Sequence, residues 1–335
     1  MNRICYILGI SLFISCASTS GELVENRSTG AALGTSYSLI YFAEDEVDYQ
    51  IEIDSVFQAV NRSLSTYISD SDISKINKGD STLVVDEMFE EVFMLSKNVF
   101  EKTNGYFDPT VGVLVNAWGF GPEEQMAMDS TAVDSLLHLV GFDKVAISEK
   151  GTVQKGHPDI YFDFNAVAKG YAIDRLAKMF DGKGIRNYLL EVGGELVAKG
   201  ENQNKGKPWV VGIDDPEMET RRELKKTIYL KNRALASSGN YRKFRVDEKT
   251  GKRYVHTVDP KTGYTKSGNT LSATVLANTC AEADAFATAF MAMDLDESFK
   301  LLSQQRELDG YIVYIDEHGD TQEFMTEGFE ELVVK

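Results

Sequence analysis

Two long stretches of the chain place apolar residues three or four positions apart, which is the spacing of an amphipathic helix. They cover residues 44–63 and 86–103. The second stretch runs into an Asn-Gly pair at 104–105, and such a pair commonly ends a helix. Shorter patterns of the same kind occupy residues 130–140 and 165–180. The pattern therefore predicts several helices, each with one face turned to a core.

Other stretches alternate apolar and polar residues, or run apolar for a few positions between turn-forming residues, which is typical of strands. These predicted strands cover residues 33–42, 145–147, 152–154, 160–164, 187–192, 209–213, 227–230, 271–276 and 310–315. Helices and strands follow one another without a regular strand-helix-strand rhythm. The sequence therefore favours an α+β or mixed α/β fold over a barrel or a doubly wound sheet. The chain is long enough for one large domain or two lobes.

Residues 279–290 are rich in Ala, which favours a helix. Cys280, Asp284 and Thr288 recur there at every fourth position and so share one helical face. A carboxylate and a hydroxyl one turn apart are oxygen donors that suit Mg²⁺ rather than zinc. The same pair more often forms a solvated edge or a local hydrogen bond, so the spacing alone leaves both interpretations open.

The first residues have the pattern of an export signal. Arg3 precedes an apolar run over residues 4–14, which is too short to span a bilayer as a finished helix. The run ends in Phe-Ile-Ser-Cys, which resembles a bacterial lipobox with Cys16 as the acylated residue, although Phe13 stands where Leu is usual. The alternative is an ordinary signal peptide that is cut near Ser18.

The lipobox interpretation divides the chain into three parts. Residues 1–15 form a lipoprotein signal peptide, residues 16–30 an acylated Cys with a flexible polar tether, and residues 31–335 the functional domain. It predicts an exported bacterial lipoprotein that lipid on Cys16 anchors at the periplasmic side of a membrane. Cys280 would then be the one thiol left, so no internal disulfide is expected.

The formal net charge is -17, from 35 Lys and Arg against 52 Asp and Glu. So acidic a protein is not expected to bind nucleic acid or anionic lipid by charge. A phosphate-bearing ligand would need a local cation, either a metal ion or a basic side chain. Lys169 is a candidate, because it lies in the first turn of a predicted helix capped by Asn165, where the helix dipole disfavours a cation. It is therefore either solvated or held by an anion such as Asp163 or a phosphate.

Several common site motifs are absent from the sequence. They are Gly-x-Gly-x-x-Gly after a strand, Gly-x-x-x-x-Gly-Lys-Ser/Thr, Gly-x-Ser-x-Gly, His-Glu-x-x-His and Cys-x-x-Cys. Their absence excludes the standard dinucleotide and triphosphate cradles and argues against zinc and thiol redox chemistry. Tyr67, Tyr106 and Trp118 offer flat aromatic surfaces, although a plain buried or rim position is the more common role for a residue such as Tyr67. His256, beside a turn rich in Asp and Thr, fits a structural role and a catalytic role equally well.

Eight motifs, in order along nearly the whole mature chain, resemble the ApbE family of flavin transferases. Any one of them is weak evidence, whereas eight in the family's order are strong. They are Leu33-Gly-Thr-Ser-Tyr, Leu64-Ser-Thr-Tyr, Tyr106-Phe-Asp-Pro-Thr-Val-Gly with Trp118-Gly-Phe-Gly, Asp163-Phe-Asn-Ala-Val-Ala-Lys-Gly-Tyr, Glu191-Val-Gly-Gly-Glu, Ser237-Ser-Gly-Asn-Tyr, His256-Thr-Val-Asp-Pro-Lys-Thr-Gly and Thr279-Cys-Ala-Glu-Ala-Asp-Ala-Phe-Ala-Thr. Bacterial lipoprotein signals also occur in the family, in agreement with Cys16.

The resemblance implies an α+β fold with mixed β-sheets and flanking helices. It also implies an enzyme that splits FAD and moves the FMN half onto a Thr or Ser hydroxyl of a partner protein, with release of AMP. The family's acceptors are typically flavoprotein subunits of membrane redox complexes. The family needs Mg²⁺, which suits phosphoryl transfer in an acidic protein because the cation neutralises the pyrophosphate.

Carried over to this sequence, the resemblance assigns the metal ligands to Asp284, Thr288 and the backbone carbonyl of Ala166. Leu33 stands where the family often has Met, a change that should only alter packing against the nucleotide. The implied lining of the FAD site consists of Leu33, Tyr67, Tyr106, Phe107, Asp108, Asp163, Lys169, His256 and Thr257.

Three of these residues receive catalytic roles under the same hypothesis. His256 is the candidate base for the acceptor hydroxyl, with Asp163 behind it, and Lys169 adds a second cation at the pyrophosphate. Two other functions fit the same motifs. One is a Mg²⁺-dependent FAD pyrophosphatase, in which water replaces the hydroxyl. The other is a non-catalytic FAD-binding lipoprotein. The presence of Asp284, Thr288 and Lys169 argues against it, because storage of FAD needs no metal at the pyrophosphate.

Overall fold

The computed structural model describes the chain from residue 22 onward, over residues 22–218, 223–239, 244–246, 253–266 and 268–335. The predicted signal peptide and Cys16 lie outside the described residues, so the lipid anchor stays a prediction. Within these segments, no helix has the length and apolar character needed to cross a membrane.

The described residues form fourteen strands and nine α-helices. The strands are β1 Val24–Ala32, β2 Thr35–Ala43, β3 Val145–Ile147, β4 Val153–Lys155, β5 Tyr188–Val192, β6 Glu195–Lys199, β7 Trp209–Asp214, β8 Leu224–Leu230, β9 Arg233–Gly239, β10 Phe244–Val246, β11 Arg253–Val255, β12 Thr270–Ala277, β13 Asp309–Ile315 and β14 Thr321–Met325. The helices are α1 Gln50–Leu64, α2 Asp72–Asn77, α3 Glu87–Lys102, α4 Gly112–Ala117, α5 Ser130–Leu137, α6 Ala168–Gly182, α7 Cys280–Ala292, α8 Leu295–Gln304 and α9 Glu327–Glu330.

Eight strands form the main sheet, in the order β1-β2-β5-β6-β9-β12-β13-β14. Every neighbouring pair in this sheet is antiparallel. Three further pairs, β3-β4, β7-β8 and β10-β11, form small sheets of their own. The predicted α+β class with flanking helices is confirmed, but the main sheet is antiparallel throughout where the resemblance implied mixed sheets. A division into two lobes stays a prediction.

The first strand corrects the predicted tether. The sequence analysis extends a flexible tether to residue 30, whereas β1 begins at Val24 and pairs with β2 over its whole length. Leu33 and Gly34 connect the two strands with φ angles of 52° and 73°, the left-handed conformation that a tight hairpin turn requires. Because β1 is an edge strand with mostly exposed side chains, its polar composition hides the strand.

The segment before α6 also differs from the prediction. Residues 160–164 form no regular strand, and Tyr161 makes only a single bridge to Val111. The apolar residues of this segment pack into the core from a loop. Their alternating burial gives the sequence the same pattern as a strand. Asn165 does not cap α6, because the helix begins three residues later and the Asn165 amide donates to Thr66 Oγ1 at 3.3 Å.

Apolar residues cover both faces of the main sheet. On one face, α1, α3, α6 and α7 pack against inward residues of the sheet and form the larger core. The β7-β8 pair and α9 cover the other face. Trp209 of β7, Ile228 of β8 and Phe329 of α9 are buried there against the sheet. Helices α4 and α5 enclose a separate small cluster that includes Val258. Lys169 of α6 and Asp284 and Thr288 of α7 therefore lie in the helical layer.

Helix α7 is the centre of this helical layer. Its side chains are buried along the whole helix except for the half-buried Glu282 and Thr288. Helix α6 crosses α7 at Gly170. An added Cβ there would lie 2.8 Å from the Ala281 nitrogen and closer still to the Cys280 carbonyl oxygen. The two backbones approach so closely that only glycine fits at the crossing.

The substitution Gly170→Ala tests this crossing. The added methyl would push α6 away from α7, so we expect the free energy of unfolding to fall by about 1–3 kcal/mol. Gly182→Ala, at the other end of α6, is the matched control, because its added Cβ meets no atom within 4 Å and Ala favours a helix. Urea denaturation measures both. Equal stability of the two variants would contradict the close crossing.

Candidate active site

Asp284 lies in the middle of α7, where this helix faces the first turn of α6. Its side chain is 3% exposed, and Oδ2 accepts a hydrogen bond from the Gly170 N–H at 3.3 Å. Burial raises the pKa of Asp284 from 3.8 to about 6, although Lys169 and the Gly170 hydrogen bond favour the charged form. The protein thus compensates the carboxylate only in part, and a bound cation would complete the compensation.

The predicted metal ligands offer oxygen donors alone. Thr288 follows Asp284 by one turn on the same helix, and its Oγ1 lies 3.4 Å from Ser238 Oγ. Ala166 is in the turn that leads into α6. The part of the chain that the structure describes contains no group of three or more His, Cys, Asp or Glu side chains placed to hold a metal. A single carboxylate with neutral oxygens fits Mg²⁺, which binds through few protein ligands and keeps several waters.

Lys169 extends from the first turn of α6 to the main sheet, where its ammonium forms an ion pair with Glu195 of β6. The sequence analysis names Asp163 or a phosphate as its anion, so the protein partner is corrected to Glu195. The tight turn at residues 193–194 joins β5 to β6 and places Glu195 opposite Val192, on the side of the sheet that carries the helices. We call Lys169, Glu195, Asp284 and Thr288 the α6–α7 cluster.

A second carboxylate, the half-buried Asp174, links α6 to α7. Asp174 accepts hydrogen bonds from the backbone N–H groups of Cys280 and Ala281, each at 2.8 Å. These N–H groups open α7 and have no partner within the helix, and the helix N-terminus favours a negative charge. Burial raises the pKa of Asp174 to about 7. Asp174 is not among the predicted site residues. Its partners lie more than 100 residues away in the sequence, so no local pattern indicates its role.

Cys280 is a packing residue of the first turn of α7. Its thiol is fully buried, and burial raises the thiol pKa well above its ordinary value. The side chain is therefore a neutral packing group in the first turn of α7, beneath the crossing with α6.

A cavity of about 460 Å³ opens beside Tyr67 and Tyr161. Its walls come from α2, α4 and the loops around them, with Tyr67, Asn116 and Tyr161 among the lining residues. Tyr67 is 65% exposed, so its ring is available for stacking. Tyr67 is also the one predicted site residue that lines this cavity, which is therefore not centred on Asp284.

Asp163 follows the lining residue Tyr161 by two positions, in the segment that leads to α6. Its carboxylate accepts a hydrogen bond from the Asn165 N–H at 2.7 Å, and burial raises its pKa. Burial, and to a smaller degree the Asp163 charge, raises the pKa of Tyr67 and of Tyr161. The predicted support of His256 by Asp163 stays a prediction.

Tyr106 is half-buried just beyond α3. The Lys261 Nζ atom lies 3.7 Å from the centroid of its ring. Burial and a hydrogen bond with Glu297 raise the pKa of Tyr106 to about 12, so the phenol is neutral at physiological pH. A cation already occupies one face of the ring, and stacking on Tyr106 has to use the other face or displace Lys261.

Phe107 and Asp108 from the predicted FAD site are buried, and so is the aromatic residue Trp118. Phe107 is buried in the larger core, and its predicted place in the lining of the FAD site stays a prediction. Asp108 is buried as well and accepts hydrogen bonds from both the N–H and the hydroxyl of Thr110. Trp118 is buried and donates its indole N–H to the Gly263 carbonyl at 2.9 Å, so it is not the flat surface suggested by the sequence.

The remaining predicted residues lie on connecting segments. His256 directly follows β11 and is half-buried, and Thr257 beside it is buried. The Thr257 carbonyl accepts a hydrogen bond from the Lys266 N–H at 2.9 Å, which closes the following turn. Leu33 is half-buried against the larger core in the turn between β1 and β2. Their grouping with the α6–α7 cluster stays a prediction.

The model of the ApbE family matches residues 33–312, a range that contains every candidate site residue. The chain belongs to the ApbE family. Two ApbE-like curated relatives named FAD:protein FMN transferase come from Haemophilus influenzae and Vibrio cholerae. The first is 32% identical over 326 residues, with 93% of each chain covered. The second is 35% identical over 275 residues, with 79% of this chain and 80% of the relative covered.

Solved structures of ApbE proteins share this fold. The flavin transferase ApbE from Vibrio cholerae matches with a TM-score of 0.82 at 30% identity, over 92% of this chain and 99% of that chain. The ApbE protein from Thermotoga maritima matches with a TM-score of 0.80 at 27% identity, over 93% of this chain and 100% of the other. The ApbE-like fold that the motifs implied is therefore confirmed.

The burial of Asp284 predicts a pH dependence of stability. Its pKa is raised from 3.8 to about 6, so the folded chain binds a proton in a range where the unfolded chain has lost it. The free energy of unfolding due to this group therefore falls as the pH rises from about 4 to about 6. Asp284→Asn removes the charge and keeps an oxygen acceptor for the Gly170 N–H. We expect it to be about 1–3 kcal/mol more stable than the wild type above pH 7, without divalent cations.

Urea denaturation in the presence of a chelator, between pH 4 and pH 8, measures this difference. The expected gain of Asp284→Asn disappears near pH 4, because the wild-type carboxyl is then protonated. A variant that is less stable than the wild type at every pH would show that the protein itself fully compensates the Asp284 charge.

Proposed function

We propose that this ApbE-family chain is a Mg²⁺-dependent FAD:protein FMN transferase. It splits FAD and joins the FMN half to a Thr or Ser hydroxyl of a partner flavoprotein, and AMP is released. The observation that carries the proposal is the α6–α7 cluster, in which a buried carboxylate with oxygen donors lies near a lysine. The curated relatives named FAD:protein FMN transferase support the same conclusion.

The transfer exchanges one bond to phosphorus for another. The acceptor hydroxyl oxygen attacks the phosphorus of the FMN half, and the anhydride bond to the AMP phosphate breaks. AMP leaves with the bridging oxygen and its electron pair, while the hydroxyl proton passes to a base. Such a reaction depends on positioning and on charge neutralisation more than on covalent chemistry by the protein.

Asp284, Thr288 and the Ala166 carbonyl would hold Mg²⁺ in this proposal. When bound there, the cation would supply positive charge that offsets the negative charge of the pyrophosphate. Asp284 supplies the one charged ligand, since Thr288 and Ala166 contribute neutral oxygens. Lys169 adds a positive charge from the first turn of α6, and its side chain remains 33% exposed, so it can reach a bound phosphate.

The other predicted residues would hold the nucleotide and the acceptor. Tyr67 offers its exposed ring to the adenine or the flavin, and the cavity beside it extends that surface. His256 is our candidate for the base that takes the hydroxyl proton, with Asp163 in support. Leu33 and Thr257 would complete the lining of the site.

The export pattern suggests where the reaction takes place. Lipid on Cys16 would hold the enzyme at the periplasmic side of a membrane, and the sheet begins only eight residues later, at Val24. An enzyme on so short a connection would meet acceptors that are themselves membrane-bound. We therefore propose flavoprotein subunits of membrane redox complexes as the acceptors.

An assay with FAD, Mg²⁺ and a candidate acceptor domain tests the proposal. We expect the acceptor to gain the mass of one FMN while an equal amount of AMP appears. Asp284→Ala should lower the rate about 100-fold or more, because it removes the charged metal ligand. Asp296→Ala, which removes an exposed carboxylate from α8, is the matched control and should keep the wild-type rate.

Other outcomes of this assay would replace the proposal. AMP and free FMN in equal amounts, with or without an acceptor, would make the chain a pyrophosphatase. FAD that stays bound and unchanged would make it an FAD-binding protein. In the same assay His256→Ala should slow transfer about 100-fold or more while FAD binding persists. Full transfer by that variant would reduce His256 to a structural residue.

A further inference from the structure

One carboxylate oxygen of Glu195 has no role in the proposed function. The residue is 4% exposed and sits at the start of β6. Its Oε1 pairs with Lys169, whereas its buried Oε2 finds no hydrogen-bond donor among the described residues. A buried polar atom without a partner costs about 1–3 kcal/mol, so native structures seldom keep one without a ligand or a water to satisfy it.

The position of Glu195 is fixed by its surroundings. It directly follows the tight turn at residues 193–194, and its partner across the hairpin is Val192. Val192 belongs to the larger core, so Glu195 points to the helical layer and to the α6–α7 cluster. Glu191 lies on the other face of the same hairpin, opposite Leu196. Glu191 and Glu195, the two glutamates of the Glu-Val-Gly-Gly-Glu motif, therefore face opposite sides of the sheet.

We infer that Glu195 is a substrate-binding residue, in which Oε1 holds the Lys169 ammonium in place and Oε2 accepts a hydrogen bond from a substrate hydroxyl. This inference rests on the proposed function. Two substrates bring hydroxyl groups to such a site. One is FAD, through its ribityl chain, and the other is the acceptor protein, through its Thr or Ser side chain.

The Lys169–Glu195 ion pair favours an uncharged hydrogen-bond donor as the partner of Oε2. A carboxylate oxygen only accepts hydrogen bonds, so its partner must carry an N–H, an O–H or a positive charge. A phosphate oxygen is excluded because both groups are negative. A second cation would lie next to the Lys169 ammonium, which already neutralises the Glu195 charge, and like charges repel. A hydroxyl meets both conditions.

Glu195→Gln in the full chain tests the inference. Glutamine keeps the size of the side chain and one oxygen for Lys169, but it replaces the second oxygen with an NH₂ donor. FAD affinity is measured by titration with Mg²⁺ present, and the acceptor KM and kcat are measured by transfer. If FAD supplies the hydroxyl, we expect the FAD Kd to rise about tenfold or more. If the acceptor supplies it, the acceptor kcat/KM falls by that factor and the FAD Kd stays unchanged.

Glu191→Gln is the matched control and should leave both quantities at the wild-type values. Thermal unfolding separates loss of binding from loss of fold. If Glu195→Gln is unfolded, Glu195→Asp replaces it and should show the same loss in FAD Kd or acceptor kcat/KM. A folded Glu195→Gln with unchanged FAD Kd and acceptor kcat/KM would overturn the inference and leave an internal water as the partner of Oε2.

The wild-type measurements keep this test distinct from that of the proposed function. A wild-type chain that neither binds FAD nor transfers FMN contradicts the proposed function itself. A wild-type chain that transfers FMN, together with an equally active Glu195→Gln variant, contradicts only the role of Glu195.

Discussion

The close crossing of α6 and α7 is the constraint on which the candidate site depends. At Gly170 the two backbones come so near that no side chain fits, and four residues later Asp174 bonds to the first N–H groups of α7. Together these contacts fix the relative position of the two helices. Lys169 belongs to one helix and Asp284 to the other, so the crossing also sets the relation between the two charged groups. A site made of two rigid helices holds its geometry better than one made of loops.

The same crossing brings several charged groups out of water. Asp284 and Glu195 are buried and Asp174 is half-buried, in a chain that already carries a net charge of -17. Lys169 compensates Glu195 directly, whereas Asp284 has one long hydrogen bond from the Gly170 N–H. An uncompensated buried carboxylate destabilises a fold, and proteins keep such groups where a ligand completes them. The incomplete compensation of Asp284 is therefore the feature on which the proposed metal site rests.

Local patterns in the sequence revealed the helices well and the partners of charged groups poorly. The Ala-rich stretch predicted α7 and the shared face of Asp284 and Thr288, because both follow from helical spacing. The partner of Lys169 could not be found in this way, since Glu195 comes from a strand 26 residues away. The β1 strand was missed because an edge strand needs few apolar residues. Trp118 stood out because its segment is rich in aromatic residues and glycine, but its neighbours in space bury it.

The most direct test of the account is divalent-cation binding at α7. Mn²⁺ prefers the same oxygen ligands as Mg²⁺ and is observed by electron paramagnetic resonance. The account predicts that the wild-type chain binds one Mn²⁺, that Mg²⁺ displaces it, and that Asp284→Asn, while still folded, loses this binding. Equal Mn²⁺ binding by the wild type and Asp284→Asn would contradict the account, because Asp284 is its one charged metal ligand.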